Sequence, residues 1–142
     1  TQLEKPHDYV VYVFNELEPT DKGGPPKKTS MDMHAGERET SNMLISHPDL
    51  VHMDRAASES GADQARQKLP ENVYTGIWWY TRFPNHYAGE GAAANKELGQ
   101  YQMNWWIGAI KKAIQEVKAD DVSPKLQKEF FENSTHPLDT QQ

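Results

Sequence analysis

The chain has 142 residues, 15 Lys+Arg against 21 Asp+Glu, a formal net charge of -6 and no cysteine. Its mean hydropathy of -0.88 is polar for a self-sufficient core. The lack of cysteine excludes disulfides and thiolate metal sites. No basic stripe marks a nucleic-acid footprint, and no apolar run approaches the ~20 residues that span a bilayer.

The polarity fits either a loose, loop-rich domain or, as preferred here, a chain whose core another polypeptide completes. Nothing reads as a signal peptide. The chain starts at Thr1, which fits either loss of an initiator Met or processing of a longer precursor. Location stays open: cytoplasmic by default for a soluble protein, secreted or periplasmic if it is processed.

Residues 9–14, Tyr-Val-Val-Tyr-Val-Phe, read as a strand buried on both faces. Residues 15–30, rich in Gly and Pro, form a long loop of the kind that is often functional. A short helix follows about Thr40 to Ser46, with Thr40 or Ser41 as N-cap and Pro48 ending it. Residues 49–75 are mixed, with a short helix about 61–68. Gly76, Ile77, Trp78, Trp79 and Tyr80 form a second strand or an aromatic loop. A further loop follows around Pro84, Gly89 and Gly91.

The clearest element is a helix from about 93 to 118. Met103, Ile107, Ile110, Ile114 and Val117 fall on one face of it. The expected division is 1–118 as one domain and 119–142 as a surface-hugging extension with an apolar patch at Phe130 and Phe131. Strands alternating with helices suggest α/β layering. Two strands are too few for an independent sheet, so further strands are expected from elsewhere.

Asp32, His34, Glu37 and Glu39 lie close together at the exit of the loop. An imidazole exchanges protons near neutrality, and a carboxylate beside it can assist. Ala35-Gly36 lets backbone approach a ligand. The plain alternative is a charged turn capping a helix. No zinc spacing is present, although His and carboxylates suit zinc, manganese or iron when other ligands join them. Trp78, Trp79 and Tyr80 line a pocket or a subunit contact. His86 and Tyr87 are further candidates.

The segment Asp32-Met33-His34-Ala35-Gly36-Glu37-Arg38-Glu39-Thr40-Ser41-Asn42-Met43-Leu44 resembles the His-Ala-Gly-x-x-Glu-Thr-Ser motif of the creatininase family. His47-Pro48-Asp49-Leu50-Val51-His52-Met53-Asp54-Arg55 resembles that family's following segment. Asn95-Lys96-Glu97-Leu98-Gly99 resembles its carboxy-terminal end. The resemblance implies the carboxy-terminal half of a three-layer α/β/α fold with a mostly parallel sheet. It also implies a metal-dependent hydrolase of C–N bonds in cyclic or linear amides, in which a metal-bound hydroxide attacks the carbonyl. His34 would relay a proton to the leaving nitrogen. Glu39 would orient His34, approach the metals as a ligand, or cap the helix.

The family's main ligand motifs are absent from this chain. Two divalent ions (zinc, manganese or iron) would therefore be held mainly by a second polypeptide carrying the amino-terminal half. Closed homo-oligomers are common in the family, so a higher oligomer is expected. Met33 replaces an acidic residue, and Asn15 and Ser30 stand near the positions of creatininase's substrate-flanking tryptophans. Creatinine is therefore a poor substrate candidate. Asn15, Ser30, Met33 and Trp78 are the expected substrate contacts. Two other readings are a non-catalytic assembly subunit and an amino-terminal-nucleophile hydrolase using Thr1.

Overall fold

A computed structural model describes residues 6–14 and 23–139. In chain order the elements are strand β1 (Asp32–His34), helix α1 (Glu37–Ser46), helix α2 (Trp78–Arg82), strand β2 (Ala88–Gly89), helix α3 (Lys96–Ala119) and helix α4 (Ser123–Asn133). Short 3-10 turns lie at Pro48–Leu50, Met53–Ser58 and Gly91–Ala93. The chain divides into two compact units, Pro19–Trp106 and a second made of Thr1–Glu18 with Ile107–Gln142.

In the unit Pro19–Trp106, β1 and β2 pair antiparallel, with Asp32 opposite Gly89 and His34 opposite Ala88. The expected parallel arrangement is not formed among the described residues. β1 is cut short by the backbone that follows it. Ala35, directly after β1, has the left-handed φ 53.

The core of this unit is small and partly polar. Phe83, Ala88 and Leu98 are buried, and so are Thr29, Glu37, Ser41 and Gln102. Ser41 explains much of the packing. Its Oγ donates to the Glu37 carbonyl at 2.6 Å and accepts from the Asn95 N–H at 3.0 Å, joining α1 to the entrance of α3. Asn95 Oδ1 then accepts from the Leu98 N–H at 2.9 Å, an N-cap for α3. Gln102 donates to the Arg38 carbonyl at 3.3 Å and to Asn42 Oδ1 at 3.1 Å.

Several sequence expectations change here. Helix α1 starts at Glu37, not after a cap at Thr40 or Ser41. Those hydroxyls bond back to the Ala35 and Glu37 carbonyls, while the Asp32 carboxylate takes the Arg38 N–H at the helix entrance. Residues 61–68 are not helical. Gly61 instead abuts β2, its carbonyl accepting from the Gly89 N–H at 3.1 Å. The aromatic segment forms helix α2 rather than a strand. Phe83 seats the end of this helix in the core, and Arg82 pairs with Asp63 at 2.9 Å.

In the second unit, residues 9–14 form no strand, and Val13 is 84% exposed. A β-branched run becomes a strand only where another backbone supplies its ladder, and no described residue does so. Helix α3 ends close to the expected point. Its Ile107, Ile110 and Ile114 nevertheless remain exposed. The expected extension contains helix α4, with Pro124 in its first turn, where a missing N–H costs nothing. Gln127 Nε2 donates to the Tyr9 carbonyl at 2.8 Å, and Tyr12 donates to Asp120 Oδ2 at 2.8 Å.

Candidate active site

All described candidate residues lie in the unit Pro19–Trp106. The site begins where β1 turns into α1. His34 is the last residue of β1, and the left-handed Ala35 reverses the chain so that Glu39, in the first turn of α1, comes back to it. Glu39 Oε2 accepts from the Ala35 N–H at 2.6 Å and lies 3.5 Å from His34 Nδ1. The carboxylate thereby caps an otherwise free backbone donor and faces the imidazole. Both side chains are about half exposed.

Asp32 is placed differently. Its side chain is 2% exposed, 3.1 Å from Arg38 Nε and 3.8 Å from Lys27 Nζ. It also accepts from the Arg38 N–H. Two cations and a helix entrance occupy its lone pairs, so it holds the turn in shape. Gly36 is needed beside it, because a Cβ there would stand 2.2 Å from Asp32 Oδ1.

Glu37 is the residue whose role the sequence did not reveal. It is wholly buried. Its carboxylate accepts from the Lys28 N–H at 2.9 Å, the Thr29 N–H at 2.8 Å and the Thr29 hydroxyl at 2.9 Å. These bonds tie the segment before β1 onto α1. The only sequence signal was its place in the acidic cluster, and nothing there distinguished it from the exposed Glu39.

Around His34 lies an aromatic group. The His86 ring centroid is 4.7 Å away and that of Trp79 6.4 Å away. Trp78 meets Trp79 edge-on at 5.4 Å and sits at the edge of this group rather than against His34. Met33 is exposed. Ser30 lines a separate cleft with Met31, Glu59 and Tyr87. A neighbouring cleft of about 430 Å³ runs along the motif and is lined by Ala35, Thr40, Val51, His52, Asn85 and Tyr87. Asn15 and Thr1 lie outside the described residues.

A family model described as creatininase, creatinine amidohydrolase, matches residues 2–114. The chain belongs to the creatininase family. No match was found among curated proteins or among solved structures. The family is generally one of amidohydrolases with an α/β fold, and its members typically bind a divalent metal ion.

The described residues do not fit a complete centre for such an ion. Among them no group of three or more His, Asp or Glu side chains converges on one point. Glu39 brings one carboxylate, already shared between the Ala35 N–H and His34. Among the described residues, no helix is long and apolar enough to cross a membrane.

Proposed function

We propose that this chain supplies the proton-relaying part of an amidohydrolase acting on a small cyclic or linear amide. The observation that carries this reading is the His34–Glu39 pair. With Nδ1 facing Glu39 at 3.5 Å, Nε2 is the ring nitrogen left to meet a substrate. In amide hydrolysis water adds its oxygen to the carbonyl carbon, the C–N bond breaks and the departing nitrogen takes up a proton. His34 delivers that proton, and Glu39 keeps the ring in the orientation required.

The family's metal ligands are proposed to come from a second polypeptide carrying the amino-terminal half of the fold, within a higher oligomer. The short β1–β2 pair supports this, since a two-stranded ribbon is marginal by itself.

The test is His34→Ala in the natively purified assembly, assayed on a panel of small lactams and linear amides. Turnover is expected to fall about 10²–10⁴-fold, the usual share of general acid–base catalysis, with metal content unchanged. Undiminished turnover would remove His34 from the reaction.

A further inference from the structure

His86 is a second imidazole beside His34 that the relay does not use. It sits on the turn between α2 and β2. Its ring centroid is 4.7 Å from that of His34, with the planes inclined at 61°. Trp79 completes the group at 5.5 Å from His86.

The backbone here is strained in an organised way. His86 has φ 68, left-handed and unusual for a residue with a Cβ. The turn is pinned on both sides of it. The His86 N–H donates to the Phe83 carbonyl at 3.0 Å, and Phe83 is buried. Asn85 Nδ2 donates to the Ser60 carbonyl at 3.2 Å, and Asn85 Oδ1 accepts from the Tyr87 N–H at 3.2 Å. Ala35, next to His34, is also left-handed at φ 53. Of the two imidazoles, His86 is itself strained and His34 is followed by a strained residue, and such strain persists where the surroundings enforce it, often at functional sites.

A second observation points to a ligand. Trp79 Nε1 is buried and has no hydrogen-bond partner among the described residues. A buried donor without an acceptor is rare, because its lost hydration goes uncompensated. The missing acceptor is most simply an atom of something that binds. His86, whose ring centroid is 5.5 Å from that of Trp79, is itself exposed to solvent.

The spacing also restricts how a ligand sits. A planar group sandwiched between two rings needs roughly 7 Å between them, twice the ordinary contact distance. At 4.7 Å the His34 and His86 rings leave no such gap. A ligand must lie along their edges, where the ring nitrogens are.

We propose that Trp79 and His86 form a carbonyl-binding subsite. Both donate hydrogen bonds to the oxygen of a planar amide or lactam while His34 faces its nitrogen. The orientation toward His34 rests on the hydrolase reading. Binding of a carbonyl acceptor by Trp79 and His86 does not.

The test follows the indole N–H resonances of the full chain, purified with whatever accompanies it, during titration with 2-pyrrolidinone. Pyrrolidine, which lacks the carbonyl, is the parallel probe. Of the signals from the 4 tryptophans, the one missing in Trp79→Phe is expected to move with 2-pyrrolidinone and not with pyrrolidine. His86→Gly removes the imidazole donor and leaves a residue that adopts the left-handed backbone freely. It is expected to weaken the dissociation constant about tenfold, as loss of one hydrogen bond does. His34→Ala leaves the shift in place. An unmoved Trp79 signal, equal movement with pyrrolidine, or an unchanged constant in His86→Gly overturns the proposal. If the subsite responds as expected but His34→Ala retains full turnover, the subsite stands and the relay reading fails.

Discussion

The carbonyl oxygen of Ser41 lies 2.0 Å from the position a Cβ on Gly99 would take, so α1 and α3 meet backbone to backbone at that point. Neither backbone can yield without parting the helices. Gly99→Ala is therefore expected to cost about 3 kcal/mol in overpacking, against a helix-propensity gain of ~1 kcal/mol. A net loss of about 2 kcal/mol follows from those two terms, readable as a lower urea midpoint. Gly108→Ala, whose added Cβ would meet no described atom within 4 Å beyond its own stretch of helix, is the control. It is expected to raise the midpoint.

Glu37 gives a second stability prediction. Its buried carboxylate accepts from two backbone amides and one hydroxyl. Glu37→Gln puts an NH₂ against at least one of those donors, and an unpaired buried donor costs about 1–3 kcal/mol. Glu37→Ala, which leaves all of them unpaired and opens a void, is expected to cost more. Chemical denaturation of the two variants checks the order.

Glu39 should behave in the opposite way. Its carboxylate is half exposed, so Glu39→Gln is expected to change stability by less than about 0.5 kcal/mol. Gln can still accept from the Ala35 N–H, but the charge facing His34 is gone. On the proposed relay role of His34, a drop in kcat of about 10–100-fold, the scale seen when the partner orienting a functional His is lost, is the expected result in the natively purified protein.

Asp63 supplies a pH dependence. Its hydrogen bond to the Arg82 side chain, together with one from the Ala65 N–H, holds its carboxyl below the usual carboxylate range. An acid depressed in the folded state stabilises the fold above its unfolded value of about 3.9. That contribution disappears as pH falls through the folded value. The pair is partly exposed, so Asp63→Asn is expected to lower stability at neutral pH by only about 0.2–1 kcal/mol. The difference from the parent should close in acid, as thermal melts across pH would show.

Local features of the site were legible from residue order. The motif from Asp32 to Leu44 placed His34 and Glu39 near each other, and the structure brings Nδ1 and Oε2 within 3.5 Å. The family membership expected from that motif is supported by a match over residues 2–114. Asp32 looked equivalent to Glu39 in sequence, yet it is enclosed by Arg38 and Lys27. Which acid meets which cation depends on how the chain turns at Ala35, and an alanine gives no warning of a left-handed φ. The aromatic segment misled for a related reason. Its residues favour strands, but Trp78 to Arg82 coils to seat Phe83 in the core.

Residue order alone determined the chemistry available: no thiols, an imidazole beside carboxylates, and a long amphipathic helix that forms with exposed isoleucines. Those properties travel with side-chain type and short-range spacing. Only the tertiary structure decided that Glu37 is a buried anchor, that His86 stands against His34, and that the Trp79 N–H lacks an acceptor among the described residues. Burial and donor satisfaction belong to groups brought together from distant parts of the chain, and no local pattern encodes them.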